Sequence, residues 1–375
     1  MIPYNLLLRN SLTAAACAAV AAFGFMDANP SLYCYHQFLQ WRGTASQGAY
    51  HDHFANKTVW IVGASSGIGE ELAYQISPYC QKLILSSRNG EQLRKVAQAC
   101  QTCPVAVIPL DVTSTPQELE RLILEQLIPE LCNNPDDENN ANSLCVIFNA
   151  GQGHLSTVQE TDPATTLRMF QVNTIPPIVL TQLLLQHKIL APGKTNKDKP
   201  QIVLTSSVAG RMGVPLSASY AASKHALHGY ASSLQAECSS WLRVDILCPG
   251  PIDTPFFQNQ PDKRNQQQTQ QQQQTTDDTT TKTKKSPFKM SVQRMASLAM
   301  SHMAQKRQQG QEAWIAKQPT LLGMYLQQYV PGLWQWALNQ KVGPKRVSLY
   351  QRGLDLYDPS SWNNDAGGDS DKKQQ

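Results

Sequence analysis

Charge of one sign is scarce in this sequence. The formal net charge is +4 over 375 residues, and no dense basic stripe gathers on any segment. That removes the electrostatic footprint of a nucleic-acid surface, and no nucleic acid partner is expected. A disulfide framework is missing too, because the nine cysteines are odd in number and fall without regular spacing. Cys100 and Cys103 form a CxxC with no second ligand pair nearby. They read as two thiols at a helix end, and no metal site is expected. There is no internal repeat. A full membrane-spanning run is also lacking. The uncharged, alanine-rich stretch 11–26 would reach about 24 Å as a helix, short of the roughly 30 Å hydrocarbon core. With Arg9 ahead of it, segment 1–30 fits a signal peptide, a short anchor or a targeting sequence. The alternative is an amphipathic arm on the folded domain.

What is present is enough apolar material, 41% of residues, to build one large domain or two modest ones. Residues 31–56 mix aromatics, histidines and small polar residues without a clear period and read as a connector. Short β-rich runs then alternate with helical stretches. TVWIVG (58–63), KLILSS (82–87), VAVIPLDV (105–112), SLCVIFNAG (143–151), QIVLTSS (201–207) and VDILCPG (244–250) read as strands. The stretches between them read as helices, among them a long one after 151 and another around 218–241. This alternation predicts an α/β fold with a doubly wound parallel sheet. Two inserts interrupt it: polar 133–142, read as an exposed loop, and 258–285, rich in Gln and Thr and expected to be disordered. The catalytic domain is thus expected over 57–257, followed by a lid and C-terminal helical extension over 286–357 and a loose tail from 358. That extension should hold a helix through Met300 and a short strand near Ala313.

Gly63-Ala64-Ser65-Ser66-Gly67-Ile68-Gly69 lies between the first strand and the first helix of the alternation. Glycines there permit a tight turn and let backbone N–H groups approach a pyrophosphate at a helix N-terminus. A glycine cluster alone is weak evidence, but its strand–turn–helix context makes it strong. An acidic residue is lacking at the end of the second strand, where it would bond the adenosine ribose and repel a 2′-phosphate. Ser87 and Arg88 stand there instead, a hydroxyl and a guanidinium suited to that phosphate, so NADP(H) is expected over NAD(H).

On these residues the chain resembles the short-chain dehydrogenase/reductase family, a Rossmann-type fold. Gly63-x-x-x-Gly67-x-Gly69 has the family's spacing. The resemblance implies that Asp111, with Val112 after it, contacts adenine, and that Asn149-Ala150-Gly151 lines the cofactor and supports the central sheet. It implies that Pro249-Gly250, Ile252 and Thr254 hold the nicotinamide carboxamide. Ser207, Tyr220 and Lys224 match the catalytic serine and the Tyr-x-x-x-Lys pair, and Asn173 matches the fourth member of the tetrad. The likeness covers about residues 58–256 and resumes at about 287–356. Several stretches look closer still to one member: 59–75, YAASKHAL (220–227), LCPGP (247–251), WIAKQPTLL and GPKRV. That implies an enzyme of the endoplasmic reticulum membrane, with another organelle as the alternative address, acting on apolar carbonyls such as steroids and retinoids.

The chemistry explains the residue types. Carbonyl reduction needs a hydride at carbon and a proton at oxygen. Tyr220 can supply the proton, although a free phenol has a pKa of about 10. Lys224, four residues on and on the same helix face, is expected, aided by oxidised nicotinamide, to stabilise phenolate and bring Tyr220 towards working pH. Ser207 can donate a hydrogen bond to the substrate oxygen. In the family the backbone carbonyl of Asn173 anchors a water that leads to the lysine. Pro177, four residues later, has no N–H and leaves that carbonyl without its helical donor, while Pro176-Pro177 threatens to distort the helix. His154 is open between the substrate mouth and a solvated loop, and His225 and His228 read as structural. The helix over 290–304 fits either an apolar lid or the core. Segment 321–338, followed by Lys341, Lys345 and Arg346, fits a membrane surface, a clamp over substrate or a homodimer contact. The expected function is hydride transfer between nicotinamide and a small apolar carbonyl or alcohol. A non-catalytic NADP(H)-binding sensor or scaffold is the alternative, and a fold-sharing epimerase or dehydratase would need further site acids that are not seen.

Overall fold

The computed structural model describes residues 23–131, 144–192, 199–254, 256, 286–306 and 310–363. Most of the expected leader, both inserts and the end of the tail therefore lie outside the described residues. Seven strands form one parallel sheet in the order β3-β2-β1-β4-β5-β6-β7. They are β1 Thr58–Val62, β2 Lys82–Ser86, β3 Val105–Val107, β4 Leu144–Phe148, β5 Gln201–Thr205, β6 Arg243–Pro249 and β7 Glu312–Ile315. Strands β1, β2, β4, β5 and β6 are buried along their whole length, because helices cover both faces. Successive β1 side chains serve opposite cores: Val59 and Ile61 join one cluster, Trp60 and Val62 the other. Strand β3 is shorter than the sequence suggests. Ile108 and Leu110 still donate to Leu85 and Ser87, but Pro109 between them has no N–H to continue the ladder.

Residues 31–56 are not a connector. They form α1 (Pro30–Trp41) and α2 (Thr44–Phe54), and Leu32, His36 and Leu39 of α1 are buried at helical spacing. Aromatic and histidine residues between those positions hide the period in the sequence. The helices α3 (Gly67–Ile76) and α4 (Gly90–Ala99) follow β1 and β2, and α5 (Pro116–Leu122) runs on through a π turn to Leu131. The expected long helix after β4 is two, α6 (Pro163–Asn173) and α7 (Ile175–Gln186). Pro176 and Pro177 fall in the first turn of α7, where a missing N–H costs nothing, so they start a helix and leave Asn173 as the last residue of α6. Helix α8 (Ala218–Cys238) lies between β5 and β6.

Helix α9 (Val292–Met303) overturns the lid reading of 290–304. Met295, Leu298, Ala299, Met300 and Met303 are buried in the same core as Val59 and Ile61, and α9 packs on α3 and α1. The extension continues as α10 (Thr320–Tyr329), α11 (Pro331–Ala337), α12 (Gly343–Gln351) and α13 (Pro359–Asn363). Among the described residues no helix is long and apolar enough to cross a membrane. Cys100 is buried at the C-terminal end of α4, and Cys103 lies 3.5 Å from Cys80, which precedes β2.

Candidate active site

The order of the sheet reverses between β1 and β4, and the crevice opens beyond the carboxyl ends of those strands. Gly63 and Gly67 have φ of +93° and +62°, a region that glycine enters without a side-chain penalty. A Cβ on Gly63 would sit 2.4 Å from the Ala150 nitrogen, so the turn and the Asn149-Ala150-Gly151 segment can touch only because the side chain is absent. Asn149 fastens the two, its Nδ2 donating to the Gly63 carbonyl at 3.0 Å, while the amides of Asn149 and Ala150 donate to Val62. Gly69 is on the far side of the turn, where a Cβ would come within 2.1 Å of the Gly63 oxygen. It packs α3 onto the turn and does not line the crevice. Ser66 caps α3 in extended conformation, and its hydroxyl makes no cap bond.

A cavity of about 1170 Å³ runs from this turn to the C-terminal extension. At its near end it is lined by Gly63, Ser65, Ser66, Gly67 and Ile68, with Ser87, Arg88 and Val112. Ala150 and Gly151 follow, then Ser207, Tyr220 and Lys224, with Pro249, Gly250, Ile252 and Thr254 opposite. Asp111 is not among the lining residues. Its carboxylate accepts from the Thr113 amide at 2.9 Å and hydroxyl at 2.8 Å, a local turn that holds it aside. Arg168 of α6, which the sequence reading passed over, lines the cavity and acts electrostatically on Asp111 together with Arg88. A lone arginine on a helix carries no motif that would have marked it.

The residues fit a nicotinamide dinucleotide. The glycine turn leaves a cradle that side chains would fill. The Ser87 Oγ is buried without a hydrogen-bond partner beside the exposed Arg88, a donor and a cation together at the end of β2.

Ser207 sits at the end of β5 and caps a short 3-10 turn, accepting from the Ala209 amide at 3.2 Å. Tyr220 and Lys224 stand one turn apart at the start of α8, with the Lys224 Nζ 6.0 Å from the Tyr220 ring centroid. Both are buried. Burial pushes the Tyr220 phenol up to about 12, with hydrogen bonding to Ser207 acting the other way. Burial likewise lowers Lys224 to about 8. Burial outweighs the other effects of the chain's own residues on the phenol, so the expected lowering towards working pH would need the oxidised nicotinamide beside Lys224. Lys224 donates to the Thr205 carbonyl at 2.8 Å. Asn173 is fully buried behind the cavity wall, not on it. Its amide bonds both backbone groups of Gln152, at 2.7 and 2.9 Å, and the Ser223 hydroxyl at 3.1 Å. It faces Gly151 from the same side as the Lys224 amine, so the two prolines do not displace it.

His154 fits neither of its two readings, since it is buried and its Nε2 lies 3.3 Å from the Thr161 hydroxyl. His225 bonds the Ala221 carbonyl. His228 backs the site through Ser206 at 2.9 Å. With Cys248 and Glu312 it forms a cluster of metal-ligand types. Glu312 is already taken by a bidentate Arg211 and by the Trp314 indole, so the cluster reads as hydrogen-bonded support. Beyond Tyr220 the wall comes from Phe256, Phe288, Trp334, Leu338, Tyr357 and Trp362. Of the three readings for the aromatic segment, the clamp is the one with side chains in the cavity. Arg346 belongs to this wall as well, and does not stand on the surface as a membrane anchor would.

The sequence profile described as short chain dehydrogenase matches residues 57–265. The chain is 30% identical to Dehydrogenase/reductase SDR family member 7 of Homo sapiens over 328 residues, covering 85% of this chain and 86% of that protein. A short chain dehydrogenase from Salmonella enterica is 26% identical with a TM-score of 0.53, over 72% of this chain and 98% of its own. A second from Shigella flexneri, solved in complex with NADP, is 26% identical with a TM-score of 0.52, over 70% and 98%.

Proposed function

This chain belongs to the short chain dehydrogenase family, and from that premise we propose that it is an NADP(H)-dependent oxidoreductase interconverting a carbonyl and its alcohol on a largely apolar substrate. The observation that carries the reading is convergence: Ser207, Tyr220 and Lys224 meet in the cavity that the glycine turn opens, next to an aromatic wall. The choice of NADP(H) is supported by Ser87 and Arg88, by the absence of Asp and Glu from the cavity lining among the described residues, and by the NADP complex of the Shigella flexneri neighbour. The turn residues Gly63–Gly67 would hold the pyrophosphate, Ser87 and Arg88 the 2′-phosphate, and Pro249, Gly250, Ile252 and Thr254 the nicotinamide end. Val112 would border the adenine, with Asp111 held aside by its own turn. When bound, the nicotinamide gives or takes the hydride.

The remaining chemistry belongs to the chain. Ser207 donates to the substrate oxygen and holds it near the phenol. Tyr220, whose pKa is raised to about 12, keeps its proton at neutral pH and delivers it to that oxygen during reduction. Lys224 keeps a positive charge beside the phenol as it loses the proton. Asn173 fixes the Gln152 turn. Its carbonyl lacks helical donors at both Pro176 and Pro177, which suits a water leading to Lys224. Peripheral contact with a membrane belongs to the same proposal and is supported by exposed Tyr329, Val330, Leu333 and Trp336 at the outer edge of the extension; the endoplasmic reticulum as address comes from the sequence resemblance alone.

The test is nicotinamide fluorescence decay on purified protein, comparing NADPH with NADH over a panel of apolar and small carbonyls. Turnover is expected with NADPH on apolar members. Tight NADPH binding without turnover on any member would move the chain to the sensor reading.

A further inference from the structure

Among the described residues the cavity is lined by four cations, Arg88, Arg168, Lys224 and Arg346, and by no carboxylate. Arg88 and Arg168 lie on the Asp111 side and Lys224 beside Tyr220. Arg346 has no such assignment. It projects from α12 into the aromatic wall and is only 9% exposed. Its Nε and Nη2 are buried without a hydrogen-bond partner among the described residues. A guanidinium cannot escape the cost of burial by losing its proton, so a buried, unpaired one is a group waiting for an anion. The two unpaired nitrogens form one edge of the fork, the edge that meets both oxygens of a planar carboxylate.

The surroundings agree. The Arg346 Cζ lies 5.7 Å from the Tyr357 ring centroid, with Lys289 5.3 Å from the same ring and Lys345 5.6 Å from that of Trp362. The nearby acids are turned to local use: Asp355 accepts from the Tyr357 amide and Asp358 from Ser360. The rest of this end is apolar, with Trp334, Leu338, Val342 and Leu356.

We infer that Arg346 is a specificity-determining residue, and that the substrate is a carbonyl compound with an apolar body and a carboxylate held by the Nε–Nη2 edge. This rests on the proposed oxidoreductase reading and names the substrate class for it. Dodecanoate and 1-dodecanol, titrated calorimetrically into protein holding NADP⁺, separate the two claims. Wild-type protein is expected to bind dodecanoate at least about 10-fold more tightly than the alcohol, and Arg346→Gln to bind both alike. Equal binding by wild type, or a preference that survives in Arg346→Gln, overturns the inference. Arg346→Gln should melt no lower than wild type, because an unpaired buried charge is removed. If it fails to fold, Arg346→Lys serves in its place: it keeps the charge, loses the fork and should lose most of the preference. Turnover of 12-oxooctadecanoate against its methyl ester reads the chemistry separately. A binding preference without turnover of either compound removes the reductase reading and leaves the anion site; equal turnover together with equal binding does the reverse.

Discussion

Tyr220 and Lys224 stand one helical turn apart, and the same burial moves them in opposite directions. The phenol rises to about 12 and the amine falls to about 8, because water no longer supports the charged form of either. At neutral pH the pair is therefore a protonated acid beside a cation, the state needed to give a proton to a carbonyl. The rate of reduction, as kcat/KM, should be flat below about pH 8 and fall above it as Lys224 loses its charge. In Lys224→Arg that limb should move out of the accessible range; a limb that stays near pH 8 would belong to another group. Stability carries the opposite sign. The folded protein holds Lys224 with a pKa below its ordinary value, so between about 8 and 10.5 the unfolded chain binds more protons and stability climbs with pH. Tyr220→Phe removes the proton donor without opening a cavity. It should lower turnover by roughly 10²- to 10⁴-fold while NADPH binding, followed by fluorescence, stays.

At the scale of elements, the proposed cofactor choice sits at the end of β2. Its ladder partner β1 delivers the glycine turn, and the amides of Gly63 and Ala64 donate to the Ser86 carbonyl, so Ser87 and Arg88 are held next to the phosphate cradle. Replacing the cation by a carboxylate, Arg88→Glu, should weaken NADPH binding by roughly 10- to 100-fold and bring NADH level with it or ahead, read from the two dissociation constants. An unchanged ratio would mean that Arg88 is a surface arginine and that Arg168 does its work. This part of the fold was legible because β1 and β2 are runs of wholly buried residues and the turn between β1 and α3 needs glycine at fixed positions. Elsewhere the signal was local and the answer was not. Leu32, His36 and Leu39 are a helical stripe, but His36 is there to bond Ser301 of α9, and a histidine does not read as core until its partner is known. Met295, Leu298 and Met303 make an apolar face that would suit a lid as well as a core. Only the approach of α3 and α1 decides between them. Arg346 looked like the basic flank of an aromatic belt because sequence cannot show that the following turns, with Tyr357 and Trp362, fold back over it.

At the scale of the whole molecule, the chain leaves the sheet after β6 and must return across segment 257–285 to add α9 and β7. One carboxylate organises that return. Asp245 on β6 is fully buried, pairs with Arg243 at 2.7 Å, takes the Gln201 amide of β5 at 2.6 Å and accepts the Gln311 backbone at 3.0 Å. His302 of α9 closes the set at 3.1 Å, and Arg243 reaches the carbonyls at the end of the same helix. The Arg243 guanidinium and His302 hold the Asp245 carboxyl well below the ordinary carboxylate range despite its burial. A depressed carboxyl stabilises the fold fully above its unfolded pKa of about 3.9, and that contribution is lost as pH falls further towards the folded value. Asp245→Asn keeps the shape but leaves Arg243 buried without its counter-charge, a change that costs about 3–5 kcal/mol in comparable sites. Urea unfolding at neutral pH should show that loss. Repeated towards pH 3, it should show the gap between wild type and variant beginning to close, because below about 3.9 the unfolded wild type takes up a proton that the folded carboxylate does not. A gap that holds constant across the range would mean that Asp245 contributes through packing rather than charge. The return of α9 and β7 to the sheet would then rest on the apolar face of α9 alone.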